Sequence, residues 1–253
     1  MLRILPVASG STGNCMLAEI DNRRILIDLG VTASMLRRAL SANGYGWEDI
    51  DAVLITHTHS DHIKGLQVCL KRISAPVFMS QTSKELLLLE RAEALPYTRR
   101  TEILPGLWVT AIRTSHDCPG SVGYRIETEE TRFGFITDLG VLPDSIVELL
   151  SGADCIVIES NHDEEMLRYG RYPVYLKRRI LSEQGHLSNK ACAEAVARFA
   201  REGTRHFLLA HLSQENNRPK LALESAAEAT AGLDVHIEAL PVYGASMIPI
   251  SER

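Results

Sequence analysis

Thr56-His57-Thr58-His59-Ser60-Asp61-His62-Ile63-Lys64-Gly65 follows the apolar run Ala52-Val53-Leu54-Ile55, and the reading of this stretch decides the fold. A buried strand that ends in three histidines and an aspartate is not explained by packing, because imidazole and carboxylate are poor core groups unless paired or metal-bound. In an extended segment alternate side chains share a face, so His57 and His59 point at one spot beyond the strand's end. Asp61 and His62 stand where the chain turns into the helical spacing of Ile63, Leu66 and Leu70, and they reach a second spot beside the first. Imidazole nitrogens with a hard carboxylate suit zinc, manganese or iron rather than calcium, and two-metal sites hold their ions about 3.5–4 Å apart.

The pattern His-x-His-x-Asp-His resembles the signature of the metallo-β-lactamase-fold hydrolases at His57, His59, Asp61 and His62. The oxygen-reducing diiron branch of that superfamily carries a glutamate where His59 stands, and lactamases proper usually lack the histidine after the aspartate. The resemblance therefore implies hydrolysis by hydroxide on two divalent metal ions, zinc or manganese with iron also accommodated. It implies an α/β fold as well, a four-layer αββα sandwich of two mixed sheets flanked by helices.

Length and composition set the bounds. The chain has 253 residues, 45% of them hydrophobic, enough for a sizeable core, and it reads as one hydrolase domain spanning 1–253. A formal charge of −5 argues against nucleic-acid binding by bulk charge, so such a partner has to be met by a local patch. The segment Met1 to Pro6 is too short for a signal peptide, and no apolar run approaches the ~18–20 residues of a membrane span, so a cytoplasmic location is expected. Five cysteines without a Cys-x-x-Cys pair fit reduced, buried thiols, with Cys118 standing two positions after His116.

In chain order, strands are expected over Leu2–Val7 and Cys15–Ile20, joined by Ala8-Ser-Gly-Ser-Thr-Gly-Asn14. That loop reads either as a hairpin turn or as an anion-facing lip in which Ser9, Ser11 or Asn14 donates to a phosphate. Arg24 to Gly30 forms the next strand, and Asp28 breaks its apolar run. A helix (Ser60–Ile73), a strand (Pro76–Met79), a helix (Ser83–Ala92) and a strand pair (Thr101–Leu104, Leu107–Thr114) follow, an α/β alternation. His116 ends that β-rich run and reads as a further ligand of the first metal. A hairpin of Ser121–Glu127 and Thr131–Thr137 runs into Asp138. Asp154 to Glu159 is another strand ending in polar groups.

The span from Glu164 to Arg179 reads as helical, interrupted at Pro173, and gathers Arg168, Arg171, Lys177, Arg178 and Arg179. These cations read either as a solvated helix face or as a patch that contacts a nucleic-acid backbone. Ser188 or Asn189 caps an amphipathic helix. The strand from Arg205 ends at His211, read as the remaining ligand of the second metal. A last helix (Pro219–Ala231) and a strand (Val235–Ala239) follow, with His206 and His236 read as structural and without partners. Several strands ending in metal-competent side chains point to one site at the strands' carboxyl ends.

Three further segments resemble one family closely: Ser9-Gly-Ser-Thr-Gly-Asn-Cys15, Glu159-Ser-Asn-His162-Asp163 with Gly185-His-Leu-Ser-Asn189, and His211-Leu-Ser-Gln-Glu-Asn-Asn217. With the overall length they are similar to the WalJ/YycJ family of bacterial metallo-hydrolases, across essentially the whole chain. The resemblance implies that Asp28 helps orient the metal-binding loop and that Asp138 bridges both metals. It implies 5′ to 3′ exonuclease action on DNA rather than RNA. Glu159 and His186 stand where RNase Z enzymes carry a Glu/His pair, so His186, oriented by Glu159, is expected to steady a phosphate oxygen or protonate the leaving group. His162, Lys177, Arg178 and Asn189 are expected at the substrate.

His57, His59, His116 and Asp138 are thus expected to hold one metal, and Asp61, His62, His211 and Asp138 the other. Two such ions outweigh the two aspartates and leave a cationic cleft that selects anions. Two alternatives stand beside a nuclease. One is a small-molecule hydrolase acting on a cyclic phosphodiester or a thioester, because the roughly 70 residues from Asp138 to His211 leave no room for a large clamping domain. The other is a non-catalytic, regulatory metal-binding partner.

Overall fold

The structure is a computed structural model that describes residues 1–244 and 246–250. Two seven-stranded sheets repeat one plan. In the first, β1 (Leu2–Ala8), β2 (Cys15–Ile20), β3 (Arg23–Ile27), β4 (Ala52–Leu54), β5 (Val77–Ser80) and β6 (Ala92–Leu95) lie side by side in chain order. The second runs β7 (Thr101–Leu104), β8 (Leu107–Arg113), β9 (Val122–Glu127), β10 (Arg132–Ile136), β11 (Cys155–Glu159), β12 (His206–Ala210) and β13 (His236–Ala239). The last strand, β14 (Ile248–Ile250), returns to pair with β1. Each sheet starts antiparallel and becomes parallel halfway, at β3 and at β10.

The parallel strands explain the continuous apolar runs in the sequence, since both faces of such strands are covered. Along β11, Cys155 and Val157 face the partner sheet, while Ile156 and Ile158 face helices. Ile4, Met16, Ile25, Leu54 and Phe78 of the first sheet meet Val109, Tyr124, Phe133 and Leu208 of the second in the central layer. Helices α1 (Ala33–Ala42), α2 (Ser60–Ile63), α3 (Leu66–Cys69) and α4 (Gln81–Leu87) belong to the first half. In the second half stand α5 (Asp144–Leu150), α6 (Glu164–Tyr169), α7 (Val174–Ile180), α8 (Asn189–Arg201) and α9 (Pro219–Ala229). Leu36 and Leu40 of α1 and Leu66 of α3 close one outer face; Ile146, Val196, Phe199 and Ala222 close the other. The result is the αββα sandwich. All five cysteines are free and buried, and no helix among the described residues is long and apolar enough to cross a membrane.

Several element boundaries differ from the sequence reading for local reasons. The helix expected over Ser60–Ile73 is two single turns, because the Gly65 amide donates to the Leu29 carbonyl (2.9 Å) across the chain. The helix expected over Ser83–Ala92 is α4, which stops at Leu87, where Leu88 takes a left-handed conformation (φ 49°), and an edge strand not anticipated from the sequence, β6, begins at Ala92. His206 and His236 are not without partners: they face each other across β12 and β13, ring centroids 5.8 Å apart, and His236 bonds Glu238.

Glycines let three segments meet at the carboxyl edge of the first sheet. Leu29 N–H donates to the His62 carbonyl (2.9 Å), Asn14 N–H to the Asp61 carbonyl (2.7 Å) and Gly30 N–H to the Asn14 carbonyl (2.8 Å). A Cβ on Gly30 would lie 1.6 Å from the Asp61 carbonyl oxygen, a backbone atom that cannot swing aside. Gly30→Ala is therefore expected to destabilise the protein by about 1–3 kcal/mol, as overpacking does. The melting temperature should fall by about 2–10 °C for a chain of this size. A thermal melt within one degree of wild type would contradict this account of the junction.

Candidate metal centre

The parallel strands aim their carboxyl ends at one edge, and the chemistry-bearing residues stand just beyond those ends. Asp28 follows β3, the His57 to His62 turn follows β4, and Asp138 follows β10. Glu159 closes β11 and His211 follows β12. His116, three positions past β8, arrives from the antiparallel half. His57, His59 and His116 offer ligand atoms within 4.8 Å of one another, and so do Asp61, His62 and His211. Asp138 faces both groups: Oδ2 lies 3.4 Å from His62 Nε2, while Oδ1 lies 3.6 Å from His211 Nε2 and 3.9 Å from His116 Nε2.

Four of the five imidazoles expected to ligate, His57, His62, His116 and His211, are oriented by a hydrogen bond at their other nitrogen. His62 Nδ1 donates to Asp28 Oδ2 (2.7 Å), which turns its Nε2 towards Asp61 and Asp138. His57 Nδ1 donates to Thr56 Oγ1 (3.0 Å), and that hydroxyl donates on to Asp28 Oδ2 (2.8 Å). His116 Nδ1 meets the Gly185 carbonyl at 3.3 Å, and His59 Nε2 lies 3.7 Å from Asp117 Oδ1. On the second sheet, Glu159 Oε1 accepts from both His211 Nδ1 (2.9 Å) and His186 Nδ1 (2.8 Å). Its Oε2 accepts from the amides of Leu139 (3.2 Å) and Leu187 (3.0 Å). Such outer partners fix the tautomer and aim of metal-ligating histidines.

Burial alone would raise the Glu159 carboxyl, but His186 and the bonds it accepts bring it down to about 2. For Asp138 burial also pulls upward, and His211, His62 and His57 hold it well below the carboxylate range. Burial pushes His57 well below the ordinary imidazole value, so it is neutral, the form a metal needs. The buried atoms His57 Nε2, His211 Nε2 and Asp138 Oδ2 have no hydrogen-bond partner among the described residues. Orphaned buried polar atoms are rare in native structures. Ten buried side-chain atoms among the described residues lack a partner, and these three converge on one point; a donor set of neutral imidazoles with carboxylates fits divalent zinc, manganese or iron.

Asp28, Asp138 and His211 share a left-handed backbone, with φ of 61°, 59° and 55°. Non-glycine residues reach that region at some cost and are held there by their surroundings. The positive φ turns each strand end sharply, bringing its side chain to the shared edge instead of along the strand direction.

A cavity of about 250 Å³ opens on the site, lined among others by Ser11, His59, Asp61, Asp138, His186 and His211. Several residues expected at the substrate are placed otherwise. Ser9 is buried, its hydroxyl accepting from the His211 amide (2.9 Å), so it braces the loop instead of forming a lip. Asn14 turns inward as well: its Nδ2 lies 2.9 Å from His62 Nε2 and 3.2 Å from Asp61 Oδ2. Ser11 is the member of that loop that is exposed and lines the cavity.

His162 is only 1% exposed and Asn189 exchanges two side-chain bonds with Asn217 (2.9 and 2.8 Å), so both are interior groups. The helix cap of α8 is Ser188, which accepts from the Ala191 amide. Lys177 donates to the Arg168 carbonyl (2.8 Å), tying α7 to α6, and Arg178 is exposed but absent from the cavity lining. Arg179 lines it instead, paired with Asp117. Thr56, Asp117, Asn161, Tyr172 and Arg179 were not anticipated as individual site residues. Thr56 and Asp117 adjoin expected ligands in the sequence, and that adjacency was the available signal.

The profile of the β-lactamase superfamily domain matches residues 23–212. The exodeoxyribonuclease YycJ of Bacillus anthracis is 35% identical over 230 residues, covering 88% of this chain and 86% of that protein. The exodeoxyribonuclease WalJ of Streptococcus pneumoniae is 32% identical over 258 residues, covering 97% and 96%. Among solved structures, the metallo-β-lactamase-fold protein YhfI of Bacillus subtilis superposes with a TM-score of 0.74 at 16% identity, covering 98% of both chains. That last likeness concerns the fold.

Glu159→Gln removes the charge that two imidazole N–H groups and two amides share. Metal affinity is expected to fall about 10- to 100-fold, the effect of losing an outer partner of a ligating histidine. Competition with a chromophoric chelator measures it, and an affinity equal to wild type would contradict the orienting role of this carboxylate.

Proposed function

The chain belongs to the β-lactamase superfamily and, within it, to the YycJ/WalJ family, and from that membership we propose that it is a metal-dependent phosphodiesterase acting on nucleic acid. The finer reading is a DNA exonuclease working from the 5′ end, with residues 1–253 acting as one domain. The observation that carries it is Asp138, whose two oxygens lie within 3.4–3.9 Å of imidazole nitrogens from both ligand groups. A carboxylate so placed suits a two-ion site better than one ion or none.

In this reading His57, His59, His116 and Asp138 hold one divalent ion, and Asp61, His62, His211 and Asp138 hold the other. Zinc or manganese suits the donors. When bound, such a pair lowers the pKa of water from 15.7 towards ~7 and stabilises the entering and leaving oxygens of an in-line displacement. The protein's own groups do the rest. Burial alone would lower the His186 pKa, but the Glu159 carboxylate raises it above the ordinary imidazole value. Bound cations push the other way. His186, with Nδ1 on Glu159 and the rest of the ring on the cavity, is placed to carry a proton towards the substrate. It steadies a non-bridging phosphate oxygen or protonates the leaving oxygen. Arg179 and Ser11 line the same cavity and meet the anion's outer oxygens.

The cavity volume of about 250 Å³ admits one terminal nucleotide rather than a duplex, which favours action at a strand end. A small diester fits the same space, so the small-molecule reading rests on the same observation. Competition of chromogenic diester turnover by DNA separates the two: inhibition supports the nuclease, indifference the small substrate.

Asp61→Asn is expected to abolish hydrolysis of end-labelled DNA while the circular dichroism spectrum stays that of wild type. Undiminished turnover by this variant would remove the mechanism. His186→Ala should lower turnover about 10²- to 10⁴-fold, the usual worth of a proton-transfer group, with metal content close to wild type. Asp138, Glu159, His186 and His211 also converge within 4.8 Å. Loss of metal from His186→Ala would therefore make it a ligand instead.

A further inference from the structure

Where β12 and β13 end, the pairing between them runs one step further, since the Leu240 amide donates to the Leu209 carbonyl (2.8 Å). A second cavity, of about 390 Å³, opens between the loop after His211 and the segment from Leu240 to Tyr243. Leu212, Leu240, Val242 and Tyr243 give it apolar walls, Ser213 and Arg218 are among its polar groups, and no carboxylate lines it. Ser213 also lines the metal cavity, so the two spaces adjoin, two residues beyond an expected metal ligand.

Both sides of this second cavity are fastened. Ser213 N–H donates to the Asn161 carbonyl (2.8 Å), and Ser9 N–H donates to the Val242 carbonyl (3.0 Å). Arg218 Nη1 donates to the Gln214 and Asn217 carbonyls (3.1 and 2.6 Å), which holds the guanidinium at the cavity. The Tyr243 hydroxyl meets Thr12 Oγ1 at 3.1 Å, and Thr12 follows Ser11 of the metal cavity, while Tyr243 stays 57% exposed. Tyr243 thus stands at the border of the two spaces, accessible to a ligand.

Apolar walls, an aromatic ring and a few anchored polar groups around a cavity of this size are the make-up of a small-molecule site. Its position says which molecule. An occupant here is continuous with a phosphate at the metal centre, and the group one sugar away from a phosphate in a nucleic acid is a base. Bases taken into protein pockets are held by stacking on aromatic and apolar side chains. A cation with no carboxylate beside it favours an anionic chain.

We propose that this cavity is a nucleoside subsite: it takes the base joined through its sugar to the phosphate held at the metal centre, and Tyr243 stacks on that base. This rests on the phosphodiesterase reading and extends it from the phosphate to the nucleoside, so that a nucleotide ester is preferred to a diester without a base. The cavity takes one nucleoside and sets no requirement on whether the rest of the strand is paired.

The test uses two chromogenic diesters with the same leaving group, thymidine 5′-(p-nitrophenyl phosphate) and methyl p-nitrophenyl phosphate, on the metal-loaded full chain. Wild type is expected to favour the thymidine ester in kcat/KM, and Tyr243→Ala to lower that preference about tenfold, within the range alanine substitution of a stacking ring produces. Tyr243→Phe should keep it, since stacking needs the ring and not the hydroxyl. Thymidine 5′-monophosphate should also inhibit wild type more tightly than inorganic phosphate does, and Tyr243→Ala should remove most of that difference. A preference within about twofold of wild type for Tyr243→Ala, equal loss on both esters included, overturns the subsite and leaves the phosphodiesterase reading standing. A loss that Tyr243→Phe shares overturns stacking as its cause. Wild-type protein that hydrolyses neither ester nor DNA overturns the phosphodiesterase reading, and the subsite with it.

Discussion

The hydrogen bond from an imidazole Nδ1 to a buried carboxylate is the interaction on which the rest of this structure depends. It is made three times, by His62 to Asp28 on the first sheet and by His211 and His186 to Glu159 on the second. In each case it settles which nitrogen faces the centre and makes a charged group tolerable in the interior. Glu159 carries the larger burden, because one of its oxygens serves two imidazoles and the other two amides. A buried carboxylate with that many donors remains ionised, and its charge in turn holds both rings in place.

The fold is the frame that makes these bonds meet. Each sheet turns from antiparallel to parallel at its middle, so the carboxyl ends of β3, β4, β10, β11 and β12 fall along one edge of the sandwich. Close backbone approach at Gly30 and Gly65 and left-handed residues at Asp28, Asp138 and His211 bring the side chains the last few ångströms. The strain and the bare glycines are local costs, offset by the cooperativity of the central apolar layer beneath them.

A centre of this kind does not choose its substrate by itself. Part of the cavity wall, Tyr172, Leu176, Arg179 and Ile180, comes from one arm, residues 164 to 180, whose cationic and aromatic content sets it apart from the rest of an acidic chain. Lys177 shows how such a cluster divides its labour: it ties the two short helices together through the Arg168 carbonyl, while Arg179 turns to the cavity. Charge counting alone treats these residues as equivalent.

Much of the centre was legible in the linear chain, for a physical reason. Strand periodicity and a break in it are local properties, so a polar residue ending an apolar run is visible without coordinates. That is how His57, His59, Asp61, His62, His116, Asp138 and His211 stood out, together with the α/β alternation, while the layered sandwich followed from the family resemblance. Only the tertiary structure decided that Ser9, His162 and Asn189 turn inward, that Thr56 relays Asp28 to His57, and that Glu159 serves two histidines at once. Apart from the adjacent Thr56 and His57, these are contacts between residues 27 to 202 positions apart. No local pattern encodes which face of a turn such a residue shows, because that is set by packing against a partner the neighbouring sequence does not contain.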